Sequence, residues 1–145
     1  MPNASTLQFL LTLAKGIASQ FGPNCEVVVH DLATNDPERS IVAIENGHVT
    51  GRKAGDGPSH VVLEALRGNP EQLHDHLSYL TRTKDGKILK STTIYIRDDD
   101  GAPIGIFGIN YDITLMLAME NAIKQFTATE KDEKEPGMSL ICWMS

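Results

Sequence analysis

The sequence predicts an α+β fold: a five-stranded antiparallel sheet with short helices on one face, and with N- and C-terminal helices on the other face or at a dimer seam. Helical periodicity marks both ends of the chain. β-branched runs fill most of the interval between them, and turn signals join the two longest runs. Because 145 residues are about the size of one domain, these elements are expected to share one core.

The first helix is predicted over residues 5–21. Ser5 and Gln8 have the spacing of a capping box, and a Gly-Pro pair ends the helical pattern. Residues 1–22 are interpreted as an N-terminal element that caps the sheet or pairs two copies. One face carries apolar side chains at helical spacing: Leu7, Leu10, Leu11, Ala14, Ile17, Ala18 and Phe21.

Two strands are predicted next, over residues 25–32 and 40–45. The run CEVVVHDL is apolar on both faces, which is typical of a strand covered on both sides. The ATNDPER segment between the strands has turn chemistry. Asn46-Gly47 is a hairpin signal, and HVT, residues 48–50, is interpreted as a short returning strand.

A further helix is predicted after these strands. GDGPSHVVLEALRGN places Pro58 in the first turn of a helix that runs through Leu66, with Gly68 as its stop. Residues 70–77, PEQLHDHL, are either a second short helical piece or the run-up to a strand over residues 77–82.

The two longest strands, residues 87–98 and 102–112, are joined at a second hairpin signal, Asp100-Gly101. Both carry apolar residues on both faces, so the sheet is expected to be covered on both sides. Polar residues that interrupt these strands cost on the order of 1–3 kcal/mol if left unpaired, so each must bond within the fold or to a ligand. They are Ser91, Thr93, Asn110 and Asp112.

Structural roles are the alternative for these polar residues. A cross-strand hydrogen bond would serve Thr93 and Asn110, and Asp112 could cap the last helix. That helix begins near Thr114 and completes a domain over residues 23–129. Residues 130–145 are interpreted as a flexible acidic linker followed by the atypical tail SLICWMS, whose apolar side chains have no periodicity.

Composition excludes several classes of protein. A net charge of −6 argues against a surface that grips nucleic-acid phosphates. Two cysteines without metal-finger spacing indicate a reducing cytoplasm. The apolar run LQFLLTLA is too short for a membrane span, so no membrane partner is expected.

The stretch IENGHVTGRKAGDG, residues 44–57, is similar to a phosphate-binding loop only in its glycine content. Its first two glycines are separated by three residues, Arg52 replaces the lysine, and no Ser or Thr follows to hold magnesium. His30 and Asp31 are neighbours in a strand and point to opposite faces, so by themselves they form no catalytic pair. No enzymatic activity is expected.

No metal site is expected either. His74 and His76 would share a strand face, but a third ligand is not visible, and solvent-facing or capping roles are expected instead. The aspartates at 98–100 lack the spaced oxygens of a calcium loop and are predicted to form a hairpin turn.

Three longer stretches carry a resemblance to a known family. NCEVVVHDL (24–32), SIVAIENGHVTGRKAGD (40–56) and TKDGKILKSTTIYIRDDDGAPIGIFGINYDIT (83–114) resemble the YheO-like PAS family of bacterial transcriptional regulators, over residues 6–127. The resemblance implies a PAS-like sensor domain followed by a helix-turn-helix. No such DNA-binding module follows Thr129, so DNA is expected as a partner only through a module absent from this chain.

The resemblance also bears on cofactors. Light-sensing PAS domains form a flavin adduct through a cysteine in an Asn-Cys-Arg-Phe-Leu helix, whereas Asn24-Cys25 here opens a strand. A buried structural thiol is therefore expected at Cys25. Neither flavin nor haem is expected.

The resemblance implies a regulatory or sensory domain, and we expect this domain to hold a small polar metabolite between the sheet and helices around residues 58–77. The planar fork of Arg52 suits a carboxylate or other anion, although pairing with Asp31 or Asp56 is the alternative. A ligand-free interaction module is the alternative function. The candidate ligand-binding residues are Arg52, Thr93, Asn110, Ser91, Asp31 and Asp112.

Apolar stripes on the terminal helices are candidates for a homodimer seam, and those helices would pass a signal to a partner. Covering the protein's own sheet is the alternative for either stripe. The candidate dimer residues are Leu7, Leu10, Leu11, Leu115, Met119 and Phe126.

Overall fold

A computed structural model describes residues 3–33, 39–53 and 68–130 of the chain. These residues form five strands and two α-helices, as the sequence predicts. The elements in chain order are α1 (Ala4–Phe21), β1 (Cys25–Asp31), β2 (Ile41–Glu45), β3 (His76–Arg82), β4 (Ile88–Arg97), β5 (Pro103–Asp112) and α2 (Thr114–Thr127).

The strands form one antiparallel sheet in the order β2-β1-β5-β4-β3. Strand β1 lies between β2 and β5, and all seven of its residues are buried. Strands β4 and β5 are joined by the predicted turn, in which the Asp98 carboxylate accepts from the backbone N–H groups of Asp100 and Ala102. The α+β prediction is confirmed.

Helix α1 covers one face of the sheet, which we call the α1 face. Its Ala14 and Ala18 pack in a core with Val27, Val29 and Phe107. Small side chains at these helix positions allow the helix to lie close to the strands. The helix begins one residue earlier than expected, and its N-cap is Asn3, whose side chain accepts from the Thr6 N–H at 2.8 Å.

The opposite surface, which we call the polar face, carries the alternate residues of the same strands. In antiparallel pairs, directly opposed residues share a face. Glu26 of β1 opposes Asn110 of β5, which in turn opposes Ser91 of β4. His30 and Thr93 belong to the same face, two rows away from Glu26 and one row away from Ser91 respectively.

The structure corrects one predicted strand. Residues 48–50 do not return as a strand, because Asn46 has φ 55° and the chain winds into a 3₁₀ turn over Gly47–Val49. The Val49 N–H donates to the Asn46 carbonyl, which closes this turn. A left-handed residue is the first step of both a tight hairpin and this turn, so the local signal does not separate them.

Another 3₁₀ turn covers Pro70–Gln72, and residues 73–75, which connect this turn to β3, are not helical. Of the two alternatives for residues 70–77, the run-up to a strand is therefore the closer description. The helix predicted through Leu66 and the tail SLICWMS lie outside the described residues.

Residues up to Asp112 form one compact unit, and residues from Ile113 onward belong to a second. In the second unit, no residue of α2 is buried, and Phe126 is 90% exposed. None of the helices in the three described ranges is long and apolar enough to cross a lipid bilayer.

Candidate functional site

Glu26 is the centre of the polar face. It is fully buried in β1, where burial of a carboxylate requires partners for its charge and lone pairs. Its Oε1 accepts from Arg52 Nη2 at 3.0 Å and from Asn110 Nδ2 at 2.9 Å. Its Oε2 accepts from the hydroxyl of Thr50 and from the Thr50 N–H at 3.2 Å. In each of these contacts the Glu26 carboxylate accepts a hydrogen bond.

Arg52 supplies the positive charge of this site. Its Nε donates to Thr50 Oγ1 at 3.0 Å while its Nη2 pairs with Glu26. The side chain is 24% exposed, so the guanidinium reaches from the buried carboxylate toward the surface. In the alternative for Arg52, its acidic partner was Asp31 or Asp56. The structure pairs Arg52 with Glu26, and Asp56 lies outside the described residues.

A chain of hydrogen bonds continues from Glu26 across the sheet. Ser91 donates its hydroxyl to Asn110 Oδ1 at 2.7 Å, and Thr81 Oγ1 lies 2.8 Å from the Ser91 oxygen. Because the one hydroxyl proton of Ser91 is used on Asn110, Thr81 is the donor in the second bond. The polar side chains of β3, β4 and β5 thus point their donors toward Glu26 in β1.

Two further polar pairs lie on this face. Tyr79 Oη and Thr93 Oγ1 are 2.7 Å apart, and His30 Nδ1 lies 2.9 Å from Ser40 Oγ. Burial, followed by the positive charge of Arg52, lowers the pKa of His30 to about 4. The imidazole is therefore neutral at pH 7.

The segment 46–52, which we call the Arg52 loop, is held from several sides. A Cβ atom on Gly47 would lie 2.3 Å from the Arg52 carbonyl oxygen, so only glycine allows this close approach. Lys87, from the β3–β4 hairpin, donates to the carbonyls of His48 and Val49 at 3.3 and 3.1 Å. The backbone of the Arg52 loop, which positions the Arg52 side chain, is thus held by packing as well as by the ion pair with Glu26.

The Arg52 loop is also tied to the connection between α1 and β1. Asn46 Nδ2 donates to the carbonyls of Gly22 and Cys25 at 3.1 and 2.9 Å. His48 Nε2 lies 2.7 Å from the Pro23 carbonyl. The Asn24 carbonyl accepts from the N–H of Asp112, the last residue of β5. Every carbonyl from residue 22 to residue 25 therefore accepts a hydrogen bond.

The structure brings together three of the candidate ligand-binding residues, Arg52, Asn110 and Ser91, through Glu26. Thr93 lies on the same face in its own pair with Tyr79. Asp31 is one residue out of step, on the α1 face, and its carboxylate accepts from the Ala33 N–H at 2.9 Å. Asp112 opposes Leu89 at the end of β5. The N-cap of α2 is Ile113 rather than Asp112.

Glu26 itself was missed in the sequence. The signal was an acidic residue in a run that is buried on both faces, because a glutamate is almost never buried without a partner. Neighbouring Cys25 belongs to the core under α1, and burial, followed by the charge of Glu26, raises the pKa of its thiol.

Of the candidate dimer residues, Leu7 and Leu10 pack against the core of their own sheet, which was the alternative for that stripe. Leu115, Met119 and Phe126 are exposed. His76 stacks edge-to-face on Tyr79, with ring centroids 5.9 Å apart.

The described residues contain no cluster of three or more His, Cys, Asp or Glu side chains that could hold a metal ion. A separate open groove of about 490 Å³ lies beside the β4–β5 turn, lined in part by His74, Arg97 and Asp100. Arg97 uses its guanidinium there on the carbonyls of Gly101 and Leu73.

The sequence of the chain is similar to those of known proteins. The model of the YheO-like PAS domain family matches residues 1–128. The chain belongs to the YheO-like PAS domain family. It is 38% identical over 106 residues to the uncharacterised protein YheO of Escherichia coli K12, covering 68% of this chain and 40% of YheO. It is 28% identical over 131 residues to the transcriptional regulator DauR of Pseudomonas aeruginosa, covering 90% of this chain and 59% of DauR.

The chain spans about half the length of the curated relatives it matches. Among solved structures, a light-oxygen-voltage domain studied with a flavin analogue is 20% identical, with a TM-score of 0.45 over 79% of this chain and 93% of that chain. The family match identifies a YheO-like PAS domain, and the described residues have an α+β fold.

Proposed function

We propose that this YheO-like PAS domain is the sensor domain of a cytoplasmic transcriptional regulator and that it binds a small polar metabolite on the polar face. The observation that carries the proposal is the chain of hydrogen bonds from Thr81 to the buried Glu26, which ends at the partly exposed guanidinium of Arg52. A polar network of this size specifies geometry rather than stability. The regulatory role rests on the family and on the likeness to DauR.

The signal would leave through the ends of the domain. A ligand that moves Arg52 also moves the Arg52 loop, whose Asn46 and His48 bond to the connection after α1. The same connection bonds to the end of β5 through Asn24. A shift in this loop would therefore reach the end of α1 and the end of β5, without a role for catalysis or for a flavin or haem cofactor.

Thermal unfolding against a panel of metabolites tests the binding function. We expect at least one compound to raise the melting temperature of the wild type, and the rise to be lost in Arg52→Gln. Arg82→Gln is the matched control, because Arg82 is an exposed arginine of β3. If no compound stabilises the wild type, the sensor function is wrong.

The second candidate function is a ligand-free interaction module that forms a homodimer. Two observations favour it: the Glu26 carboxylate is already satisfied by protein donors, and the α2 stripe is open, with Leu115 70% and Met119 50% exposed. Phe126→Glu is expected to convert a dimer to a monomer in light-scattering measurements. Asn121→Glu, on the opposite side of α2, is the control. A wild type that is monomeric at all concentrations would contradict this function.

A further inference from the structure

The main acceptor of the site is the Glu26 carboxylate. A carboxylate has about four lone-pair positions. Those of Glu26 are taken by Arg52 and Asn110 on Oε1 and by the N–H and hydroxyl of Thr50 on Oε2. A ligand that approaches with an ammonium or hydroxyl donor therefore finds no free lone pair on this carboxylate.

The site has N–H donors that are not used on Glu26 or Thr50. A guanidinium has five N–H groups, and Arg52 uses one from Nε on Thr50 and one from Nη2 on Glu26. Within residues 3–33, 39–53 and 68–130, both N–H groups of Nη1 and the second of Nη2 have no acceptor. Asn110 also donates only one of its two Nδ2 protons. The spare hydrogen-bonding capacity of the cluster is thus mainly that of donors.

The planar guanidinium of Arg52 has two edges that each present a pair of N–H donors. The two used donors lie on one edge of the planar guanidinium, so the open pair on Nη1 and Nη2 forms the other edge. That edge presents two parallel N–H groups, which is the arrangement that a carboxylate accepts with both oxygens. Arg52 is 24% exposed, and Thr50, Glu26 and the close approach of Gly47 fix its orientation. The edge is preorganised before any ligand arrives.

We propose that the metabolite sensed on the polar face carries a carboxylate group, which binds the open Nη1–Nη2 edge of Arg52. The inference rests on the proposed sensor function and names the class of its ligand. Arg52 would then bridge two carboxylates, that of Glu26 on one edge and that of the ligand on the other.

Matched pairs of probes test this inference on wild-type protein. Each pair consists of a carboxylate and its primary amide, such as propionate and propionamide, benzoate and benzamide, or succinate and succinamide. Calorimetry and amide chemical shifts report binding of each probe. We expect carboxylates of at least one pair to bind and to shift the amide signals of residues 47–53, with the corresponding amide at least about tenfold weaker.

Variants then locate the contact. Arg52→Lys keeps the charge but lacks the planar edge, so it is expected to weaken carboxylate binding about tenfold, whereas Arg82→Lys is expected to leave it unchanged. If amides bind as well as carboxylates, or if Arg52→Lys has no effect, the carboxylate inference is wrong. If other classes of metabolite still stabilise the protein, the sensor function survives that result. If nothing binds, both are wrong.

Discussion

At the scale of single residues, a buried carboxylate is stable inside a sheet only when its charge and lone pairs are matched, and Glu26 meets both conditions. Glu26→Gln places an amide NH₂ among donors that already point at this position. We expect it to lower the free energy of unfolding by about 3 kcal/mol in urea denaturation, in the range for breaking a buried ion pair. Glu71→Gln, at an exposed glutamate, is expected to change it by less than about 0.5 kcal/mol.

The buried His30 predicts a pH dependence of stability. Its folded pKa of about 4 lies below its ordinary 6.5, so between these values the unfolded state binds a proton that the folded state does not. Stability therefore falls as pH is lowered from 6.5 to about 4, and His30 accounts for about 3 kcal/mol of that fall. Above pH 6.5 this contribution is fully present.

Urea denaturation at several pH values checks this prediction. His30→Gln removes the titrating group, so the difference between wild type and variant is expected to be constant above pH 6.5 and to change steadily below it. Parallel curves for the two proteins down to pH 4 would show that His30 is not held neutral in the fold.

Glycine-to-alanine substitutions at two positions are expected to have opposite effects on the free energy of unfolding. Gly47→Ala brings a Cβ atom into the carbonyl of Arg52, and we expect it to lower the free energy of unfolding by about 2 kcal/mol. Gly16→Ala meets no atom within 4 Å in α1, and is expected to raise it by about 0.5–1 kcal/mol through helix propensity. Equal effects at the two positions would rule out a close approach at Gly47.

At the scale of elements, the Arg52 loop and the connection after α1 act as one hydrogen-bonded unit. Asn46→Ala removes both side-chain bonds to Gly22 and Cys25 and leaves alanine at φ 55°, so a loss of about 3 kcal/mol is expected. Asn46→Gly keeps the backbone conformation and loses only the bonds, so a loss of about 2 kcal/mol is expected.

Hydrogen exchange measures whether the two segments are coupled. In Asn46→Gly, faster exchange is expected at the end of α1 and the start of β1 as well as in the loop itself. Acceleration confined to the loop would mean that the bonds to residues 22–25 carry no coupling.

Elements with strong local signals were predictable. Strands β4 and β5 and the turn between them followed from period-two alternation and Asp100-Gly101, because each of these signals acts over a few residues. The turn at Gly47–Val49 was not predictable, because the contacts that hold it come from Pro23 and Lys87. The site divides in the same way. Arg52 and Asn110 stood out as polar residues, but their common partner Glu26 is 26 and 84 residues away.

At the scale of the whole molecule, net charge predicts how these 145 residues behave toward DNA. With a charge of −6 there is no net release of counterions from a phosphate backbone to favour binding. We expect no retardation of DNA from upstream of its own gene at physiological salt and about 10 μM protein, where basic domains already bind without specificity. The same assay with a basic DNA-binding domain is the control, and sequence-specific retardation by this chain would contradict the prediction.

The four consecutive carbonyls of residues 22–25 have a practical consequence for protein engineering. An insertion or a new chain terminus placed there would interrupt bonds from Asn46, His48 and Asp112 at once. Asp85 offers a better point, because its side chain is exposed at the turn of the β3–β4 hairpin. That hairpin carries Lys87, which binds the carbonyl of Val49. A fluorescent protein inserted at Asp85 would therefore be coupled to the Arg52 loop through Lys87.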